Sequence, residues 1–207
     1  MKTIKYFACL ALFAAFTSCS TDDNSGDENE LLETETATVS NLAAVQTADY
    51  TTTPATITGE YTRFSFESGS IVTDDSWDLA FRGTTILVNG GTAVSDDEPE
   101  RTGTAGVYIA SGTLSSITEV DTSLFVSDSE TDGLAITTGS ENGWYSYDYT
   151  THIISPIAGK ILVVKTSNNT YAKVEILSYY LDSDTSSDSQ YYTFNYVYQP
   201  NEGETTF

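Results

Sequence analysis

The sequence predicts an all-β, antiparallel domain over residues 43–207, and three observations support this prediction. From about residue 55 onward, apolar and polar residues alternate with a period of two, which is the pattern of half-buried strands. Thr, Ser, Val, Ile and Tyr dominate this region, and β-branched and aromatic residues favour strands. No segment carries an apolar stripe at helical spacing, so we expect the domain to be built from sheets.

Residues 1–18 have the pattern of an export signal. Two lysines precede the apolar run Tyr6–Phe16, which is too short to span a bilayer, and the small residues Thr17 and Ser18 precede Cys19. The sequence Phe-Thr-Ser-Cys resembles the lipobox of bacterial lipoproteins, in which the signal is cut before a cysteine whose thiol carries diacylglycerol. We therefore expect Cys19 to be the lipid attachment residue, and a cleavage site with an incidental cysteine is the alternative.

Residues 19–42 are predicted to form an acidic, flexible tether. The stretch STDDNSGDENELLETET carries seven acidic residues and no basic residue, so it has little apolar surface to bury. Asp22 and Asp23 follow Cys19 closely, which also resembles the surface-export signal of Bacteroidetes lipoproteins. The alternative is a charged linker that carries no export signal.

Two segments of the predicted domain show the strand pattern clearly, and a third predicts a hairpin. In SWDLAFRG, alternation places Trp77, Leu79 and Phe81 on one face of a strand. In KILVVKTSNNTYAKVEILSYY, two β-branched runs flank Ser167–Thr170, and Asn tolerates the backbone of a tight turn, so we expect a β-hairpin. In residues 191–200, the aromatic even-numbered positions 192 to 198 alternate with the odd-numbered ones, and Pro200 is a natural strand end.

The charge of the chain excludes one class of partner and limits another. The formal net charge is −22, and loss of Lys2 and Lys5 with the signal makes it more negative. The negative electrostatic potential of such a chain repels nucleic acid and anionic lipid headgroups. We therefore expect no nucleic-acid binding, and membrane association through the lipid anchor only.

The residue inventory argues against an enzyme. After Cys19 there is no cysteine nucleophile, the single histidine cannot form a His pair for zinc, and no G-x-S-x-G or phosphate-binding glycine loop is present. Paired carboxylates can be drawn almost at will from 30 acidic residues, so they carry no information about hydrolysis. We expect a non-catalytic protein.

One acidic loop, DSETDGLAITTG, is a calcium candidate. Asp128, Glu130, Asp132 and Gly133 match the first half of an EF-hand loop, in which alternate oxygens surround the ion and glycine permits the turn. The twelfth position is Gly139 instead of glutamate. The alternative is a solvated loop.

The stretch GWYSYDYTTHIISP contains the only histidine of the chain beside a tyrosine stripe. Alternation directs Trp144 to one face of a strand and Tyr145, Tyr147 and Tyr149 to the other, with His152 just beyond. Imidazole and phenolate side chains both ligate haem iron, so this stretch is a candidate ligand set. The alternative is that the tyrosines pack on a neighbouring sheet while His152 is exposed.

Three blocks together, residues 77–91, 143–180 and 191–200, resemble the HmuY family of Bacteroidetes haem-binding lipoproteins. The elements Trp-Asp-x-Ala-Phe and Tyr-Ala-Lys-Val are the more specific parts, and the resemblance covers most of residues 75–200. It implies an all-β, hand-like fold that grips haem in a cleft. It also implies a surface haemophore of the outer membrane that passes haem to a TonB-dependent transporter.

The resemblance also implies where the haem ligands should lie, and the chain departs from the family there. Family members clamp the iron between paired His or paired Met, one of them shortly after the tryptophan that corresponds to Trp144. This chain has no Met beyond Met1 and only one His. The expected haem-ligand candidates are therefore His152, Tyr149 and Tyr147, with Tyr145 and Trp144 lining the cleft. The alternative is an HmuY-like surface binding module that has lost the usual ligands and binds another ligand.

Overall fold

In the computed structural model, which describes residues 30–207, strands and one short 3-10 helix (Leu181–Ser183) are the regular elements. The strands are β1 (Glu35–Ala43), β2 (Thr47–Asp49), β3 (Thr56–Thr58), β4 (Thr62–Ser65), β5 (Ser70–Val72), β6 (Leu79–Arg82), β7 (Thr85–Val88), β8 (Gly106–Ser111), β9 (Tyr145–Asp148), β10 (Ile153–Pro156), β11 (Lys160–Lys165), β12 (Tyr171–Tyr180) and β13 (Ser189–Gln199). All pairs of these strands are antiparallel, which confirms the predicted fold class. Within residues 30–207, no helix is long and apolar enough to cross a membrane. The predicted signal, Cys19 and the tether up to residue 29 lie outside the described residues.

The larger sheet has five strands in the order β1-β13-β12-β11-β8. The predicted hairpin is confirmed: β11 and β12 pair around the turn, where Asn169 has a φ of 56° in the left-handed region that Asn tolerates. The even-numbered aromatic residues of β13 are buried, with exposed fractions of 4% or less. This sheet therefore presents one aromatic face to the core.

A four-stranded sheet, β5-β4-β6-β7, packs its apolar side against that aromatic face. Phe64 of β4 meets Phe194 edge to face with ring centroids 5.5 Å apart, and Phe81 of β6 stacks on the same ring at 5.8 Å. Aromatic pairs at such separations add about 0.5–1.5 kcal/mol beyond the burial of their area. The main core is thus the layer between the two sheets.

The strand β6 is covered on both faces, which alternation did not predict. Leu79 and Phe81 belong to the main core, whereas Trp77 and Ala80 belong to a second cluster with Leu87. The prediction that Trp77 shares a face with Leu79 and Phe81 is therefore wrong. Trp77 precedes the first residue of the strand, so the period of two does not yet apply to it.

The ordered sheet starts before the predicted domain boundary at residue 43. The strand β1 pairs with β13 from Glu35 opposite Tyr198 to Ala43 opposite Tyr191, and most of its side chains are exposed. An edge strand is held by backbone hydrogen bonds, which need no apolar pattern. For this reason an acidic, Thr-rich segment that reads as a tether contains a strand.

Candidate functional site

The stretch with the single histidine folds as a two-stranded hairpin, β9 and β10. Asp148 and Ile153 are the last pair of the ladder, so residues 149–152 form the tip. The Asp148 carboxylate accepts a hydrogen bond from the Thr150 amide at 2.7 Å, and the Asp148 carbonyl accepts one from the His152 amide at 2.8 Å. The Thr150 hydrogen bond also holds the pKa of Asp148 below its usual value. The turn is therefore closed by its own backbone, and it presents an ionised carboxylate.

The base of this hairpin is anchored in the core. Trp144 and Tyr145 are 2% and 9% exposed, and the Trp144 ring lies 5.1 Å from that of Tyr192. The indole Nε1–H of Trp144 donates to the carbonyl of Thr84 at 3.0 Å. The structure thus corrects the prediction that Trp144 and Tyr145 line a cleft, because both are used to pack the hairpin onto the sheets.

The tip brings the three predicted haem-ligand candidates together. Tyr147 Oη lies 2.6 Å from His152 Nδ1, and the Tyr147 and Tyr149 rings meet edge to face with centroids 4.9 Å apart. Tyr149 is 77% exposed and His152 is also exposed. We refer to Tyr147, Tyr149 and His152 as the hairpin tip. The cluster is a small aromatic surface that faces solvent.

The contact between Tyr147 and His152 determines what the imidazole can do. When Nδ1–H donates to Tyr147 Oη, the lone pair of Nε2 is free, and Nε2 has no hydrogen-bond partner among residues 30–207. Histidines that bind metals are commonly oriented in this way, by a partner on the other ring nitrogen. In that tautomer His152 can act as a ligand to iron, with Tyr147 as its positioning residue.

The hairpin tip is an open surface. Five cavities of residues 30–207, which have volumes of about 260 to 400 Å³, are lined by other parts of the chain. The cleft that the family resemblance implied for haem therefore stays a prediction.

The predicted calcium ligands are not brought together as a metal site. Asp128 is 1% exposed, and its Oδ2 accepts hydrogen bonds from Arg101 Nε at 3.1 Å and Nη2 at 2.8 Å, while Oδ1 accepts one from the Ala135 amide at 2.9 Å. Within the described part of the chain, no three His, Cys, Asp or Glu side chains are grouped to hold a metal ion. The calcium prediction for Asp128, Glu130 and Asp132 is corrected because a guanidinium already neutralises the central carboxylate.

Sequence reasoning missed this buried ionic group. Arg101 also pairs with Glu98 at 2.7 Å, and the Arg101, Glu98 and Asp128 side chains are only 1%, 5% and 0% exposed. Burial raises the pKa of Asp128, and the Ala135 amide and Arg101 oppose that rise. We call Glu98, Arg101 and Asp128 the carboxylate cluster. It ties the 92–105 loop to the 127–135 loop, and a single basic residue directly after the acidic run 96–100 was the only sequence signal for it.

Comparison with known proteins decides the family. A sequence profile described as HmuY protein matches residues 57–196, which is more than half of the chain and includes the β9–β10 hairpin. The chain belongs to the HmuY family. The resemblance seen in the sequence is thereby confirmed, and the HmuY family consists of binding proteins and not of enzymes.

Several solved structures resemble this HmuY-family chain at low sequence identity. A protein of Bacteroides fragilis described as a lipoprotein is 16% identical, with 83% of this chain and 96% of that chain covered and a TM-score of 0.49. An HmuY-like heme binding protein of Bacteroides vulgatus is 15% identical, with coverages of 81% and 93% and a TM-score of 0.47. An apo HmuY analog of Tannerella forsythia is 12% identical, with coverages of 83% and 100% and a TM-score of 0.47. A search of curated proteins found no match.

Proposed function

We propose that this chain is a non-catalytic surface lipoprotein that binds haem or a related porphyrin at the hairpin tip, with His152 as the iron ligand. The observation that carries the proposal is the 2.6 Å contact between Tyr147 Oη and His152 Nδ1. This contact can orient the ring while Nε2 has no partner among residues 30–207. The membership of the chain in the HmuY family supports haem as the cargo.

The aromatic side chains of the tip suit the faces of a porphyrin. Tyr149 is 77% exposed and packs edge to face on Tyr147, so its ring offers apolar surface next to the imidazole. Its phenolate is the alternative ligand of the same tip. The acidic surface of the chain opposes the haem propionates, so binding should strengthen as salt screens that repulsion.

A hemin titration of the purified protein tests the proposal. We expect a saturable Soret shift in the wild type that is lost in His152→Ala, because the only imidazole is removed. Tyr147→Phe should weaken binding by about 10-fold or more, as is common when the partner that orients a metal-binding histidine is removed. Tyr149→Phe removes the phenolate but keeps the ring. It therefore shows whether Tyr149 acts as an iron ligand or as an apolar surface for the porphyrin.

The matched control is Tyr50→Phe, which changes another highly exposed tyrosine, in the turn after β2. It should bind hemin as the wild type does. Absence of a Soret shift in the wild type with both ferric and ferrous haem would overturn the proposal. Unchanged binding by His152→Ala would transfer the ligand role to Tyr149.

A second candidate function is favoured by the missing ligand pair. The chain has one His and no Met after Met1, and the hairpin tip lines none of the five cavities described above within residues 30–207. This combination also suits an HmuY-type module that binds a different ligand. In that case the wild type would give no Soret shift while the fold remained intact.

We further propose that Cys19 carries the lipid anchor and that residues 19–34 act as the tether to the outer membrane. A TonB-dependent transporter is the proposed recipient of the cargo. Metabolic labelling with a palmitate analogue should mark the wild type and the matched control Cys9→Ala, but not Cys19→Ala. Equal labelling of all three would refute lipidation at Cys19.

A further inference from the structure

The contact between Tyr147 and His152 permits a second kind of chemistry, which does not involve iron. A phenol loses an electron more readily when its hydroxyl proton moves to a base in the same step, because the charged radical cation of the phenol is then not formed. A base can take such a proton when its heavy atom lies about 2.6–3.2 Å from the hydroxyl oxygen. Tyr147 Oη and His152 Nδ1 are 2.6 Å apart, so the pair meets this requirement.

The direction of the hydrogen bond determines which chemistry is available to the pair. In the tautomer that carries its proton on Nε2, Nδ1 has a lone pair and the Tyr147 hydroxyl donates to it. The proposed role in iron binding uses the other tautomer, in which Nδ1–H donates to Tyr147 Oη. Redox chemistry of the pair therefore belongs to the haem-free chain, and it does not depend on haem binding.

Both members of the pair are held by the backbone of the β9–β10 hairpin. The Tyr147 amide donates to Ser140 Oγ at 2.8 Å, and the His152 amide donates to the Asp148 carbonyl at 2.8 Å. Asp148 and Ile153 close the ladder directly beside them. The phenol and the imidazole therefore need no rearrangement of the backbone to stay in contact.

Two other tyrosines show what the imidazole adds. Tyr192 is 0% exposed, and its hydroxyl donates to the Gly83 carbonyl at 2.9 Å, a group that accepts a hydrogen bond but does not take up a proton near neutral pH. Tyr50 is 82% exposed, so water is the acceptor for its hydroxyl proton. Imidazole is a much stronger base than a carbonyl group or water. Since His152 is the only histidine of the chain, Tyr147 is the one tyrosine of residues 30–207 whose hydroxyl contacts such a base.

The pair is accessible to an oxidant in solution. Tyr149 is 77% exposed, and its ring meets the Tyr147 ring edge to face with centroids 4.9 Å apart, so an oxidant that contacts Tyr149 is one ring away from Tyr147. His152 is also exposed. The negative charge of the chain favours the imidazolium that forms when His152 takes the proton.

We propose that Tyr147 and His152 form a redox-active pair that reduces one-electron oxidants, such as oxygen-centred radicals derived from peroxides. The oxidant gains one electron from the Tyr147 phenol, the Tyr147 O–H bond breaks, and the proton forms a bond to Nδ1 of His152. The products are the reduced oxidant, a neutral phenoxyl radical at Tyr147 and an imidazolium at His152. Atoms and charge balance, because the phenol loses one electron and one proton.

The experiment oxidises the purified haem-free protein with photogenerated tris(bipyridine)ruthenium(III), a one-electron oxidant whose positive charge is attracted to the acidic chain. Recovery of the ruthenium(II) absorbance gives the rate at which the protein loses an electron. Tyr147→Phe removes the hydroxyl but keeps the ring, and His152→Ala removes the base. Both changes should slow the reaction by about 10-fold or more, with oxidation of the other tyrosines setting the residual rate.

The matched control is Tyr50→Phe, which removes the hydroxyl of another highly exposed tyrosine that has no imidazole beside it. This variant should react at the wild-type rate. The wild type should also react more slowly in heavy water than in ordinary water, because its O–H bond breaks in the same step as the electron transfer.

Three results would overturn the proposal. The first is an equal rate in the wild type and Tyr147→Phe, a change that keeps the ring and its packing on Tyr149. The second is an equal wild-type rate in heavy and ordinary water, which needs no variant to interpret. The third is an equal loss of rate in Tyr50→Phe and Tyr147→Phe, which would make exposure alone the cause. None of these measurements contains haem, so a failed oxidation test and a failed Soret titration are distinguishable.

Discussion

The carboxylate cluster and the hairpin tip are both polar groups set on loops, but one is closed and the other is open. Glu98, Arg101 and Asp128 have side chains that are at most 5% exposed, and the charges meet each other and backbone amides. The hairpin tip has two exposed residues, and His152 Nε2 is without a partner among residues 30–207. Completed hydrogen bonding in the first group indicates a structural role, whereas the exposed groups of the second are accessible to a ligand.

Asp78 falls between these two regions. It is as buried as Asp128, yet it has one backbone donor where Asp128 has a guanidinium and two amides. Two buried acids can therefore differ in how many hydrogen bonds stabilise them. Substitutions at the three places should show graded effects on stability.

The largest effect is expected when the carboxylate cluster is broken. Arg101→Met leaves Asp128 and Glu98 buried without their cation, which should lower the free energy of unfolding by about 3–5 kcal/mol. Chemical denaturation at neutral pH measures the loss. Arg63→Met is the matched control, because its pair with Asp75 is 3.8 Å long and the two side chains are 28% and 71% exposed, so the change should cost below about 1 kcal/mol. Similar losses in both variants would remove the distinction between a closed cluster and a surface pair.

An intermediate, pH-dependent effect is expected at Asp78. Its pKa is raised to about 7 in the folded chain, so the folded state holds a proton that the unfolded state releases, and stability falls as pH rises from about 4 to about 7. Asp78→Asn has no proton to lose. The variant should therefore gain roughly 2–3 kcal/mol relative to the wild type between pH 5 and pH 8.

Denaturation of wild type and variant at several pH values gives this difference directly. Asp188→Asn, at an exposed position, should show a difference that does not change with pH. A constant difference for Asp78→Asn as well would mean that the Asp78 carboxylate is fully solvated in the fold, and Asp78 would then belong with the open region.

The smallest effect is expected at the hairpin tip. His152 has a φ of 60°, which glycine adopts more readily than a residue with a side chain. His152→Gly should therefore be more stable than His152→Ala by about 1 kcal/mol, while both lose the imidazole. Thermal unfolding compares the two variants, and a more stable alanine variant would show that the tip is not held in this conformation.

Much of the fold could be predicted because local patterns and tertiary packing agree there. The turn at Ser167–Thr170 was identified from Asn residues between β-branched runs, and it joins β11 to β12. The aromatic alternation of β13 matches a sheet with one buried face. The placement of Trp77 and the start of β1 could not be predicted, because one depends on a second covering layer and the other on backbone pairing alone.

The candidate site was predicted in part. The residues of the hairpin tip were named from the one histidine and the tyrosine stripe, yet only the fold brings Tyr147 within 2.6 Å of His152. Trp144 and Tyr145 belong to the same stretch, but burial assigns them to the core. A sequence pattern gives the period of a strand, and it does not give the point along the strand where the core ends.

The sequence by itself determined the antiparallel all-β class, the acidic charge and the HmuY family, because these follow from local periodicity, composition and motif spacing. Only the tertiary structure decided which acids are paired. Asp78 and Asp128 look alike in the sequence, and both are buried beside the end of β7. The Asp78 carbonyl accepts a hydrogen bond from the Asn89 amide, and the Asp128 carboxylate accepts one from the Val88 amide. Their difference comes from Arg101, which lies 27 residues from Asp128 and reaches it only when two loops fold together.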